Sequence, residues 1–203
     1  MKYNQFDKEY YVMSIDRTCG HPLLACSKME LSVFLKDAPI DENSIEQPLE
    51  IAFLEPYPKP AEAPDLLILG GIYAGSHRLK LMFRKMNIYG VQFLPLRIVN
   101  EELMDLPGYY AIHFWNNLSA VDMDNYDGDE PNSFGRIQQL RRFSLNAQLL
   151  DNIPVWKRMV FMLIEKPLII IVHQGVAEAV KEAGFRGISL VSVNEWVREE
   201  TFI

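Results

Sequence analysis

The run Leu66-Leu67-Ile68-Leu69-Gly70-Gly71-Ile72-Tyr73-Ala74-Gly75-Ser76 sets glycines between an apolar strand and a helical stretch, where backbone N–H groups can approach a phosphate. A phosphate loop also needs a lysine to reach the outer phosphates, and position 76 is Ser. The dinucleotide pattern Gly-x-Gly-x-x-Gly is absent as well. The run reads as a strand-to-helix connection. A second chemical reading joins this turn, residues 70–76, to His173, which follows an apolar strand where residues of α/β sheets can act on a ligand. That ligand-binding or enzymatic alternative needs a pocket with convergent polar groups at the strand ends.

The stretch Asp122-Met123-Asp124-Asn125-Tyr126-Asp127-Gly128-Asp129-Glu130 has the composition of a calcium loop. Taking Gly128 as the turn glycine puts Met123 at the first ligand position and Phe134 at the twelfth, and neither offers a carboxylate. His21, His77, His113 and His173 stand far apart, without a second His or a Cys at metal spacing, and Cys19 with Cys26 is too sparse for zinc. The two cysteines are expected to be free thiols in a reducing compartment. No Gly-x-Ser-x-Gly, His-Glu-x-x-His or zinc-deaminase signature occurs. No catalytic residue, metal or cofactor is assigned. Trp115, Trp156 and Trp196 read as core or half-buried anchors.

The elements behind these residues belong to an α+β fold, a mixed sheet with two similar strand-helix-strand units and few helices. The first unit, within residues 64–96, has a strand at Leu66–Leu69, a helix through Leu79–Met86 and a return strand at Gly90–Leu94. The second, within 167–193, has Leu168–Val172, Val176–Ala183 and Gly187–Val191. Asn87 and Gly184 end the two helices as residues that tolerate a left-handed cap, and Gly90 and Gly187 follow three positions later. Both units are expected on one common sheet. Further strands are predicted at Tyr10–Ile15, Leu49–Leu54, Tyr109–Trp115 and Trp156–Ile164, with an acidic turn over Asp124–Asn132. Six prolines between residues 39 and 64 mark an extended connection. The organisation is thus an N-terminal strand region and Pro-rich connection (1–63) and an α+β portion with the internal repeat (64–203), forming one compact unit.

The chain of 203 residues is 49% hydrophobic, enough for a sizeable core. Its first residues lack the apolar stretch of a secretory signal, and the apolar region Met159–Val172 is broken by Glu165-Lys166-Pro167, short of a membrane span. A cytoplasmic protein is expected. A net charge of −7 argues against direct nucleic-acid binding. Between Glu101 and Gly135 there are eight carboxylates and no Lys or Arg, and Arg136, Arg141 and Arg142 follow at once. Such a stretch is either a solvated segment facing its own counter-charges or a surface for a positive partner.

Tyr109-Tyr110 before a strand, Ala120-Val121-Asp122, Ile137 through Phe143, and the closing Glu182-Ala183-Gly184-Phe185-Arg186-Gly187-Ile188-Ser189-Leu190 resemble the immunity proteins of bacterial polymorphic toxin systems, a family long catalogued as a domain of unknown function. The likeness covers roughly residues 60–195. In this sequence an insertion including Asp127–Pro131 delays the serine that usually follows the acidic stretch to Ser133. The resemblance implies a non-enzymatic protein that binds and neutralises a cognate toxin in the producing cell, with no cofactor, no membrane and no direct nucleic-acid contact. An acidic surface can occupy the basic cleft of a nucleic-acid-acting toxin. The partner-binding residues expected on this reading are Asp122, Asp124, Asp127, Asp129 and Glu130, with Tyr109, Tyr110 and Trp115.

Overall fold

The computed structural model describes residues 1–19, 24–25, 37–42, 49–53, 63–69, 72–99 and 105–198. In chain order the elements are α1 (Phe6–Glu9), β1 (Tyr10–Ile15), β2 (Leu24–Ala25), β3 (Leu49–Phe53), β4 (Leu66–Leu69), β5 (Ile72–Ser76), α2 (His77–Lys85) and β6 (Val91–Val99). There follow β7 (Asp105–Leu106), β8 (Tyr109–Phe114), β9 (Asn117–Leu118), β10 (Val121–Gly128), β11 (Leu140–Leu145), α3 (Ala147–Asp151), β12 (Val160–Leu163), β13 (Ile170–His173), α4 (Gln174–Glu182) and β14 (Ile188–Ser192). Strands dominate and the helices are short, so the architecture is α+β with mixed sheets.

Two strand-helix-strand units are present, the first entering its helix from β5 and not from the expected Leu66–Leu69, which is β4 beside it, and they lie on two sheets and not on a common one. One sheet has the order β14-β1-β13-β12-β9 and the other β2-β3-β6-β8-β5-β4, with β7 added on β6. In each unit the two strands joined by the helix are separated by one antiparallel strand: β8 stands between β5 and β6, and β1 between β13 and β14. The physical reason for two sheets is burial. Each helix carries an apolar stripe, Leu79 and Phe83 in α2 and Val176, Ala177 and Val180 in α4. A single core cluster gathers both stripes with Tyr73, Ile112 and Phe114 of one sheet and Met13, Ile170 and Val172 of the other. Helices on one shared sheet would have only one strand surface to cover them.

The registers of the two units match closely. Ser76 pairs with Tyr109 as His173 pairs with Tyr10. The residue after each central strand donates its N–H to the glycine that precedes the return strand, Trp115 to Gly90 O at 2.9 Å and Asp16 to Gly187 O at 3.0 Å. The cap residues behave as the spacing predicts, with φ of 52° at Asn87, 60° at Gly184, 83° at Gly90 and 74° at Gly187. Each helix also lays a lysine over the second tyrosine of its central strand, Lys80 over Tyr110 at 3.4 Å and Lys181 over Tyr11 at 4.7 Å.

Several boundaries differ from the sequence reading. Ile72–Ser76 forms β5, whose residues Ile72 to Gly75 are buried, so the glycine-containing segment is a strand and not an open connection there; Gly70 and Gly71 lie outside the described residues. Trp156 is not in a strand. Pro154 starts a turn of 3-10 helix at Val155–Lys157, and β12 begins only at Val160. Of the expected acidic turn Asp124–Asn132, residues 124–128 stand in β10.

Candidate partner-binding surface

Strands β10 and β11 form a two-stranded antiparallel ribbon. Its inner face is held by Val121, Leu140, Phe143 and Leu145, all buried against Phe6 of α1 and Tyr10 and Phe161 of the five-stranded sheet. This anchoring leaves the acidic side chains of β10 outward. Asp124 and Asp127 are exposed and Asp122 is half-buried. Asp127 is paired: Arg141 donates to its Oδ1 through Nε at 3.0 Å and Nη2 at 2.6 Å. That hydrogen bond, and the charges of Arg141 and Arg142, hold the Asp127 carboxyl below its ordinary value. Asp122 accepts the N–H of Asp124 at 3.2 Å. Asp129 closes the ribbon's end, its Oδ2 accepting Gln139 N–H at 3.0 Å.

Asp122, Asp124, Asp129 and Glu130 form no ion pair with a described residue. The ribbon therefore answers one of its charges internally and leaves the others outward. Beyond it, Asn132 Oδ1 accepts N–H groups of Phe134 at 2.9 Å and Arg136 at 3.0 Å, a tight turn that holds Phe134 80% exposed. A cavity of about 330 Å³ opens there between Asp129, Glu130, Arg136 and Lys166. Burial pushes the Lys166 ammonium pKa down, helped by Arg198 and opposed by Asp129.

The remaining expected contacts fall in different places. Tyr109, the first residue of β8 in the seven-stranded sheet, is buried and donates its hydroxyl to Pro64 O at 2.5 Å, so it supports the fold and offers no surface. Tyr110 is half-buried beneath Lys80, with its hydroxyl 3.5 Å from His77 Nδ1. Trp115 is half-buried in a ring cluster at the end of β8. Tyr89 lies between it and Trp156, with centroids 4.6 Å from Trp115 and 5.4 Å from Trp156, both contacts edge-on. Trp156 is 57% exposed and thus no core anchor.

Sequence reasoning missed Phe134 and Trp156 as exposed rings, and the half-buried Tyr89 between Trp115 and Trp156. For Trp156 a signal existed: Pro154 ahead of it and Lys157-Arg158 behind it enclose a short turn.

Of the alternative ligand site, Gly70 and Gly71 lie outside the described residues, and Tyr73 donates its hydroxyl to Leu168 O at 2.7 Å. His173 caps α4, its Nδ1 accepting Gly175 N–H at 3.2 Å, and its ring meets Tyr10 edge-on. Burial holds its pKa below the ordinary value. It stands on the five-stranded sheet, whereas Ile72–Ser76 belongs to the other. Among the described residues no group of three His, Cys, Asp or Glu is placed to hold a metal, and no helix is long and apolar enough to cross a membrane. Cys19 is a free thiol; Cys26 lies outside the described residues.

The distinctive chemistry of this α+β protein is thus carried in an acidic ribbon and a cluster of rings of which Trp156 is exposed. The model of an immunity protein family, Imm11, matches residues 26–195, and the chain belongs to that family. No curated protein sequence matches it. Family membership implies a cognate toxin as partner.

Proposed function

We propose that this protein binds and neutralises one cognate toxin of a bacterial polymorphic toxin system, in the cytoplasm of the producing cell, and that it does so by occupation and without catalysis. The observation that carries the reading is the outward acidic face of β10 and its end: Asp122, Asp124, Asp129 and Glu130, held on a ribbon whose inner face is buried, in a chain of an immunity family. Clustered like charges repel one another, and beyond the local cations Arg136 and Lys166 at the ribbon's end a positive partner surface relieves that repulsion. A toxin that acts on nucleic acid presents such a surface, and the carboxylates then stand where phosphates would. Asp127 plays a different part, because Arg141 already answers it.

The test measures association of the protein with the toxin encoded beside it, at two ionic strengths. Replacing Asp124 and Glu130 by Asn and Gln should slow association by about threefold or more at low salt and flatten the salt dependence, with the melting temperature unchanged. Identical rates and salt slopes would leave the ribbon as a solvated structural element and remove the electrostatic part of the reading.

A further inference from the structure

The second strand-helix-strand unit shows how this fold closes the corner where a helix ends and the return strand begins. Asp65 fills that corner: its Oδ2 accepts Arg186 N–H at 2.9 Å, and its own N–H donates to Arg186 O at 2.8 Å. Arg78 covers the neighbouring Phe185 ring at 5.1 Å. Tyr89 holds the equivalent position in the first unit, one residue before Gly90 as Arg186 is one before Gly187. Tyr89 makes no backbone hydrogen bond with a described residue.

The open corner is also preorganised. Its rings come from three segments, and Asn116 ties two of them by donating from Nδ2 to Lys157 O at 2.8 Å and Val160 O at 2.9 Å. Trp115 N–H binds Gly90 O, which ties the third. Lys157 Nζ lies 5.1 Å from the Trp156 centroid and 6.0 Å from that of Tyr89. No Asp or Glu occurs anywhere from Leu66 to Asn100, nor in 115–118 or 152–160. The corner therefore has a backbone donor, a cation and the exposed ring of Trp156, and no acid within its own segments; Asp37, a carboxylate that does bond one of them, takes Asn117 Nδ2. A rigid cluster of this composition is what a binding hot spot requires, since little ordering entropy is lost on contact.

We propose that this corner docks an extended segment of the cognate toxin in which an Asp or Glu stands beside an apolar side chain. The carboxylate takes the Tyr89 N–H and the Lys157 ammonium, as Asp65 takes the Arg186 N–H within the molecule, and the apolar side chain covers Trp156. The inference rests on the toxin-binding reading, and it assigns a second contact of opposite polarity to the ribbon.

The experiment compares wild type, Trp156→Ala, Trp156→Phe and Lys157→Glu in binding the toxin encoded beside the gene, with amide exchange at Tyr89 followed in the free and bound protein. Trp156→Ala and Lys157→Glu should each weaken binding on the order of tenfold or more, mainly through faster dissociation. Trp156→Phe should retain most of the affinity. All three should keep the wild-type melting temperature, because the side chains are exposed, and the Tyr89 amide should become protected in the complex. Wild-type binding with unaffected variants and an unprotected Tyr89 amide would overturn the corner while leaving the toxin reading intact. Absence of wild-type binding would overturn both. Self-association of the free protein that Trp156→Ala abolishes would assign the corner to a second copy and overturn the proposal.

Discussion

The two strand-helix-strand units share a plan and differ in what they do with its corners. In the second unit the helix end is sealed by Asp65 and Arg78 from the first, so its corner is an internal joint. In the first unit the same corner holds the half-buried Tyr89 and Trp115 beside the exposed Trp156. The helices differ likewise: α2 carries Arg78, Lys80, Arg84 and Lys85 without an acid, whereas α4 carries Glu178 and Glu182 with Lys181. A repeated backbone plan thus yields one copy used for internal joining and one free to present a surface. The joint between copies needs only one of the two corners, and the other is left over.

The comparison can be broken most sharply at Gly90. A Cβ there would stand 2.1 Å from Asn116 Cβ, and φ is 83°, so Gly90→Ala should destabilise by about 3 kcal/mol or more in chemical denaturation. An unchanged midpoint would show that the tie between the turn and Asn116 is loose and that the corner is not rigid. Gly184 has a φ of 60° but nothing within 4 Å of an added Cβ, so Gly184→Val should cost only the backbone strain, about 1 kcal/mol or somewhat more. Equal losses at the two sites would refute the claim that close approach separates them.

The helix starts sharpen the contrast at smaller amplitude. Ser76 Oγ accepts Leu79 N–H at 3.2 Å and donates to Asp65 Oδ1 at 2.5 Å, so Ser76→Ala should cost ~1 kcal/mol. That cost should not vary between pH 7 and 5. His173 does the same work in the other unit with a group that titrates. Its folded pKa lies below the ordinary 6.5, so its contribution is fully present above that pH and is lost as pH falls through the folded value. Protonation also removes the Nδ1 lone pair that accepts Gly175 N–H. His173→Ser should therefore flatten the fall in melting temperature from pH 7 to 5, the smallest of these effects. A fall as steep as wild type's would move the acid sensitivity elsewhere.

How much of this was legible in the sequence depends on the range of the interaction. The caps at Asn87 and Gly184, with the glycines three residues on, are local requirements of chain geometry, and both were readable from spacing. The strands Tyr10–Ile15 and Tyr109–Phe114 were readable from their composition. Their equivalence was not, although both begin Tyr-Tyr, because each is inserted between two strands distant from it in the chain. The acidic residues of the candidate surface were visible as a run without Lys or Arg, but their placement on a strand was not. Carboxylates are poor strand formers, and the ribbon exists because Val121 and Tyr126 find Leu145 and Phe143 across it and a core beneath.

The sequence alone determined the fold class, the duplicated helix units with their left-handed caps, the segregation of charge, and a likeness to immunity proteins, all properties of near neighbours along the chain. Only the tertiary structure decided that the units lie on two sheets, that Asp127 is answered by Arg141 while Glu130 is not, that Tyr109 is buried, and that Tyr89, Trp115 and Trp156 meet. Those outcomes depend on which apolar faces bury one another, and burial is settled by the packing of whole elements, over separations that no local pattern encodes.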